Sequence, residues 1–138
     1  MTSQEQWVNK NAFLARLFGA NVVTWQPNFA VWTLRDALES SQTQEKELRN
    51  CYIAAAATWI DYAGKFLYNW ARTGEADGQF VNITAPGDLF KGSGGLTTER
   101  WGFWKSRFES LSAELEPGQA KKRAGEVAAK MSVVEGDV

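Results

Sequence analysis

The central stretch of the sequence, residues 48–67, reads LRNCYIAAAATWIDYAGKFL. Its apolar side chains recur every three or four residues, which is the spacing of one face of an α-helix. The main stripe consists of Leu48, Tyr52, Ala55, Trp59, Tyr62 and Phe66, and it is widened by Ile53, Ile60, Leu67 and the alanine run 54–57. So wide an apolar surface predicts a helix at the centre of the fold.

This central helix is predicted over residues 43–73. Ser41 and Gln44 have the spacing of a capping box, and Gly74 follows the last periodic residue. At 1.5 Å per residue a helix of about 29 residues is roughly 43 Å long, whereas a compact chain of this size has a radius of gyration of roughly 14 Å. The helix must therefore protrude, kink near Gly64 or pack against a partner.

Four further amphipathic segments make the predicted fold all-α, a compact bundle of about five helices. Ser3 and Gln6 favour a capping box for the first helix, Pro27 suits the first turn of the second, Thr97 suits the cap of the fourth, and Pro117 restarts the chain before the last. The predicted single domain, residues 1–138, contains helices at about 4–19, 27–40, 43–73, 98–115 and 117–132, with fraying from 133 onward.

Residues 74–97 differ from the rest of the chain because they hold six glycines, one proline and few apolar residues in sequence. This composition predicts a long Gly-rich loop, either a plain connector or a mobile lid that lays Phe80, Leu89 and Phe90 over the core. Its segment 87–95 lacks the Gly-Lys-Ser/Thr ending of a phosphate loop, so the sequence argues against nucleotide binding.

Composition excludes several classes of function. The chain has 44% hydrophobic residues, 22% charged residues, a formal net charge of −1 and no histidine. A balanced charge disfavours nucleic acid as a partner, and the lack of imidazole removes the common nucleophile pairs and metal sites. No run of residues is long and apolar enough to predict a membrane span, and the single cysteine, Cys51, favours a cytoplasmic location. The sequence implies no metal and no cofactor.

The predicted central helix carries a row of small residues, Ala54, Ala57 and Gly64, with Asp61 among them. One interpretation is close approach by a neighbouring helix, with Asp61 at its margin in an ordinary ion pair with Lys65. The other is a cavity that holds a functional carboxylate. The sequence favours close packing over the cavity by about two to one.

Other polar residues interrupt apolar stripes or form local pairs. Asn11 lies in the stripe of the first helix and Asp36 lies near that of the second, so both are candidates to converge with Asp61 on one another or on a ligand. Arg35 and Glu39 are four residues apart on a predicted helix, which indicates a second exposed ion pair.

Aromatic residues are abundant, with 7 tryptophans, 8 phenylalanines and 3 tyrosines. Most of them must fill the core. The tryptophans exceed what a core of this size conveniently packs, so the surplus predicts either an aromatic-lined pocket for an apolar ligand or a hydrophobic dimer interface.

Four ordered blocks resemble a filamentous-fungal family known only as a domain of unknown function. The blocks are WVNKNAFLARL (7–17), AVWTLRDALE (30–39), AATWIDYAG (56–64) and GGLTTERWGFWKSRF (94–108). The resemblance implies a helical, intracellular protein of the kind often encoded with secondary-metabolite genes, and it transfers no catalytic residue. The chain resembles the C-terminal portion of members that carry further helices, and apolar surface left uncovered by those helices favours a homodimer.

These observations lead to one functional hypothesis and one alternative. The hypothesis is a cofactor-independent cyclase or isomerase that acts on an apolar intermediate of fungal specialised metabolism. The alternative is a non-catalytic helical interaction or self-association module, or a metabolite carrier. In the hypothesis the catalytic residues are Asp61 as acid/base, with Arg35 and Tyr62 as donors, and the substrate-binding residues are Trp59, Trp101, Trp104, Trp32 and Asn11.

Overall fold

The computed structural model describes residues 2–23, 26–40, 45–73 and 78–137. These ranges contain six helices and no strand, which confirms the all-α prediction. The predicted capping box at Ser41 and Gln44 and the predicted stop at Gly74 lie outside the described residues. The helices are α1 (Ser3–Gly19), α2 (Asn28–Leu38), α3 (Lys46–Thr73), α4 (Gly78–Ile83), α5 (Thr98–Glu114) and α6 (Gln119–Gly136).

The capping box of α1 lies one residue earlier than the sequence pattern predicts. Thr2 has extended backbone angles, φ −75° and ψ 164°, and its Oγ1 accepts from the backbone N–H of Glu5 at 3.1 Å. Glu5 Oε2 in turn accepts from the backbone N–H of Thr2 at 2.8 Å. Ser3 is already helical and cannot be the cap, because a cap residue needs non-helical backbone angles.

Helix α3 is central, and α1 lies parallel to it. Hydrogen bonds from α3 side chains reach α1 partners at separations of 47 residues for Cys51–Gln4 and 48 for Trp59–Asn11. The nearly constant separation means that the two helices run in the same direction. Their approach is closest at Gly19, where an added Cβ would lie 1.8 Å from the Tyr62 carbonyl oxygen, so only glycine fits.

Helices α5 and α6 form an antiparallel pair on other faces of α3. Lys105 of α5 pairs with Glu135 of α6 at 2.8 Å. Helix α5 runs antiparallel to α3, because Lys46 at the start of α3 pairs with Glu116 just beyond α5 at 2.9 Å. Near the other end of α3, Tyr68 packs against Trp101 with ring centroids 5.0 Å apart and the rings inclined at 48°. Helix α5 thus contacts both ends of α3, and the length of α3 is accommodated within the bundle.

Helix α6 is longer than predicted, because residues 133–136, which were expected to fray, are helical. Val134 is buried and packs toward Gly64 of α3, whose added Cβ would lie 3.4 Å from Val134 Cγ2. This contact extends α6 by a further turn.

The predicted Gly-rich loop is wrong over residues 78–83, which form the short helix α4. Phe80 is the buried residue of α4, and six residues, fewer than two helical turns, are too few to show a helical periodicity in the sequence. Beyond α4 the chain passes close to it, because an added Cβ at Gly94 would lie 2.2 Å from the Val81 carbonyl oxygen. Glycine therefore allows tight backbone packing in this segment.

Candidate functional site

Two of the predicted substrate-binding residues, Asn11 and Trp59, hold each other inside the core. Asn11 Oδ1 accepts from Trp59 Nε1 at 2.8 Å and from Thr33 Oγ1 at 2.9 Å, and its amide nitrogen donates to the Trp7 carbonyl at 2.9 Å. Both side chains are buried. The contact therefore joins α1, α2 and α3, and it uses both lone pairs of the Asn11 amide oxygen.

The predicted aromatic walls also lie in the core. Trp59, Trp101 and Trp104 are each no more than 1% exposed. Trp104 Nε1 donates to Glu39 Oε2 at 2.6 Å, whereas Trp101 Nε1 is buried without a hydrogen bond to the described residues. These tryptophans fill the space between helices, and their side chains are closed off from solvent.

The other two predicted site residues of α2, Trp32 and Arg35, contact the end of α4 and the chain just after it. Trp32 Nε1 donates to the Ile83 carbonyl at 2.7 Å. Arg35 pairs with Asp36 at 3.2 Å, and its Nη1 lies 3.5 Å from the Ala85 carbonyl oxygen. The predicted Arg35–Glu39 ion pair is wrong.

Asp61 and Tyr62 point to different neighbours. Asp61, with a side chain 23% exposed, pairs with Arg123 at 2.6 Å and Lys130 at 3.4 Å, both on α6, and the predicted Lys65 pair is wrong. Tyr62 is 44% exposed and its hydroxyl accepts from Arg16 of α1 at 3.2 Å. Asp61 therefore faces α6 and Tyr62 faces α1, and no hydrogen bond joins the predicted catalytic residues among the described side chains.

The row of small residues on α3 faces α6. Gly64 meets Val134, and Ala54 lies in a narrow cavity that also contacts Ala120 and Arg123 of α6. This packing agrees with the interpretation that the sequence favoured, which is the close approach of a neighbouring helix.

The buried polar cluster with the most hydrogen bonds is one that no sequence pattern predicted. Glu39 and Arg100 form a salt bridge with both side chains fully buried, through Nε–Oε2 at 2.8 Å and Nη2–Oε1 at 3.0 Å. Arg100 Nη1 donates to the carbonyls of Thr84 at 2.6 Å and Gly95 at 2.9 Å. Glu39 Oε1 also accepts from the Gly87 backbone N–H at 2.8 Å. The pair thus fastens the segment after α4 to α2 and α5.

This Glu39–Arg100 cluster uses its polar groups completely. The five N–H donors of Arg100 all have acceptors, the fifth being the Ala85 carbonyl at 3.5 Å. Each carboxylate oxygen of Glu39 accepts two hydrogen bonds, since Oε2 also takes the Trp104 indole. No donor or acceptor is left for a substrate, so the cluster is structural.

A sequence signal for this cluster exists but is weak. Arg100 lies four residues before Trp104, on the inward face of α5, and Glu39 directly follows the apolar stripe of α2. Charged residues are usually solvated, so sequence reading assigns them to the surface unless the partner is known.

An open groove lies between the first turns of α1 and α3. Its volume is about 710 Å³, and it is lined by Gln4, Glu5, Val8, Asn9, Glu47, Asn50 and Cys51. The Cys51 side chain is 8% exposed, and burial raises the pKa of its thiol above the ordinary value. This surface is hereafter called the α1–α3 groove.

The α1–α3 groove continues toward α6. A second, narrower cavity of about 140 Å³ shares Asn50 and is lined further by Ile53, Ala54, Gln119, Ala120 and Arg123. Asn50 Oδ1 is buried and accepts no hydrogen bond from the described residues. The surface of α3 between α1 and α6 therefore places the small side chain of Ala54 beside Asn50.

Metal and membrane signatures are absent from the part of the chain that the structure describes. No three histidine, cysteine, aspartate or glutamate side chains there are grouped as metal ligands. Among the described helices, none has both the length and the apolar character that a bilayer crossing requires.

The described residues form an all-α bundle with the open α1–α3 groove on its surface. The chain belongs to the family described as "Protein of unknown function (DUF3632)", whose model matches residues 1–108. That range takes in α1 to α4 and most of α5, and it contains both Glu39 and Arg100. No curated protein and no solved structure matches the chain.

Proposed function

We propose that this protein is a non-catalytic helical interaction module that binds a partner helix in the α1–α3 groove. The observation that carries the proposal is the contrast between its buried tryptophans and the small, partly exposed side chains of the groove. The tryptophans that could line a substrate pocket, Trp59, Trp101 and Trp104, are buried in the core. In the groove and the adjoining smaller cavity, by contrast, the short side chains of Val8 and Ala54 are only partly buried.

The geometry of α3 supports a helix as the occupant. Helices α1, α2, α5 and α6 cover its other faces, and its buried residues extend from Cys51 to Leu67. Small residues on the open strip permit a further helix to approach the α3 backbone closely, and an amphipathic helix laid in an apolar groove is a common mode of peptide recognition.

The cyclase or isomerase hypothesis is the rival proposal, with Asp61 as its acid/base group. The pairing of Asp61 with Arg123 and Lys130 counts against it, because each carboxylate oxygen of Asp61 is already engaged by one of these cations. A substrate would have to displace both cations to use Asp61.

The proposed setting follows the family resemblance of the sequence blocks. We place the module in the cytoplasm of a filamentous fungus and in its specialised metabolism. Self-association as a homodimer belongs to the same class of function, with a second copy taking the place of a different partner.

A peptide selection tests the module directly. We expect a displayed library of amphipathic helical peptides to yield binders to the wild-type chain, and Val8→Arg to weaken them at least tenfold by filling the groove. Val133→Arg is the matched control, because Val133 is 62% exposed on α6 away from the residues that line the groove. Equal binding to the wild type and to Val8→Arg would contradict the proposal.

A further inference from the structure

We infer that the occupant of the α1–α3 groove is a basic amphipathic helix from a different polypeptide, an inference that rests on the proposed interaction function. The seven side chains that line the main cavity include two carboxylates, Glu5 and Glu47, and no lysine or arginine. Charge complementarity therefore assigns positive charge to the partner surface that faces them.

Hydrogen bonding points to the same chemistry. Asn50 lines both cavities, and its side-chain oxygen Oδ1 is a buried acceptor without a donor among the described residues. Lysine and arginine side chains are donors only, which suits the carboxylates of Glu5 and Glu47 at the rim of the groove.

The acidic residues also have a local role, which does not account for the whole arrangement. Glu5 and Glu47 lie in the first turns of α1 and α3, where negative charge stabilises the helix dipole, and Glu5 closes the capping box. Neither role explains why Asn50 keeps a buried acceptor unused, or why Val8 and Cys51 lie open to a cavity between the two helix ends.

The apolar part of the groove sets the shape of the partner. Among the residues that line it, Val8 and Cys51 have short side chains, which suit one apolar stripe of an incoming helix. Basic residues then flank that stripe and reach Glu5 and Glu47 at the rim.

Charge also decides between a different protein and a second copy. Two chains that paired groove to groove would bring Glu5 and Glu47 of each copy close to those of the other. Like charges facing each other in an interface are strongly unfavourable. The sequence-based homodimer, if formed, must therefore use another face.

The test uses two synthetic peptides of about 18 residues, long enough to form a helix. Both carry the same Leu/Ala face, and their polar positions are Lys in one and Glu in the other. Binding is measured by fluorescence anisotropy of the labelled peptide and by protection of Cys51, the single cysteine of the chain, from a thiol reagent.

We expect the Lys peptide to bind at least tenfold more tightly than the Glu peptide and to slow the reaction of Cys51. Glu5→Gln with Glu47→Gln should reduce that preference to threefold or less, while glutamine at position 5 preserves the capping box. Glu109→Gln with Glu126→Gln, two exposed positions on α5 and α6, is the matched control and should keep the full preference.

Three outcomes overturn the inference, and they separate it from the proposed function. Equal binding of both peptides, abolished by Val8→Arg, keeps the interaction module but refutes the basic partner. Protection of Cys51 that rises with the concentration of the chain alone identifies a second copy as the occupant. Failure of both peptides to bind or to protect Cys51 refutes the basic helix, and the library selection then decides the proposed function independently.

Discussion

The Glu39–Arg100 cluster and the α1–α3 groove differ in how completely their polar groups are hydrogen-bonded within the fold. In the cluster both ions are buried and every donor and acceptor has a partner. In the groove the carboxylates are near solvent and the buried Asn50 oxygen has no donor. A saturated network holds a fold together, whereas an unsaturated one has bonding capacity left for another molecule.

The largest effect is expected from breaking the saturated cluster. Arg100→Met leaves the Glu39 carboxylate buried without its cation and should lower the free energy of unfolding by about 3–5 kcal/mol. Urea denaturation followed by circular dichroism measures this loss.

The control for Arg100→Met is Lys46→Met, which removes the cation of the exposed pair with Glu116. Its denaturation midpoint should stay at the wild-type value, because water screens exposed pairs. If the two variants lose equal stability, burial is not what distinguishes the cluster.

The second prediction compares two asparagines. Asn11→Leu leaves the Trp59 indole and the Thr33 hydroxyl without their acceptor and should lower the free energy of unfolding by about 2–3 kcal/mol. Asn50→Leu removes an acceptor that has no partner, so stability should be unchanged or rise by up to about 1 kcal/mol. Thermal denaturation of both variants measures the contrast, and a large loss for Asn50→Leu would show that its oxygen is used within the fold.

The third prediction concerns the glycines. Gly94→Ala places a Cβ against the Val81 carbonyl beside the cluster, and should destabilise the chain by about 1–3 kcal/mol. Gly102→Ala, in α5 with no atom within 4 Å of the added Cβ, should stabilise it by about 0.5–1 kcal/mol. Calorimetric melting temperatures that move in the same direction would contradict the packing seen at Gly94.

The smallest change in stability is expected at Asp61. Asp61→Asn weakens a partly exposed pair and should change the free energy of unfolding by less than about 1 kcal/mol, like Asp36→Asn at another exposed pair. If the chain is an enzyme that uses Asp61, the same variant should instead lose at least tenfold in turnover with unchanged stability. Such a loss, absent from Asp36→Asn, would favour the cyclase or isomerase over the interaction module.

Local patterns in the sequence predicted much of the fold. The apolar stripe of residues 48–67 identified α3, and Thr97 is the cap of α5, with its hydroxyl accepting from the Arg100 backbone N–H at 3.1 Å. Helix α4 and the last turn of α6 do not follow from local patterns, because they depend on distant contacts, among them those of Phe80, Val134 and Glu135.

The predicted site residues show the limit of such patterns. Trp59, Trp101 and Trp104 are predicted as walls of a substrate pocket and are buried in the core, because periodicity does not distinguish a pocket wall from a residue packed in the core. The groove residues Glu5, Glu47 and Asn50 are of types common at protein surfaces, and they line one cavity only because α1 and α3 lie parallel with their first turns side by side.

The sequence by itself determined that the chain is helical and where most helices begin and end, because the backbone spacing and caps that form a helix act over a few residues. Only the tertiary structure decided which polar residues are buried, which are paired and which are left open. Glu39 meets Arg100 across 61 residues of chain, and Asp61 meets Arg123 rather than the nearby Lys65. Such partners are chosen by the packing of whole helices, which no local pattern specifies.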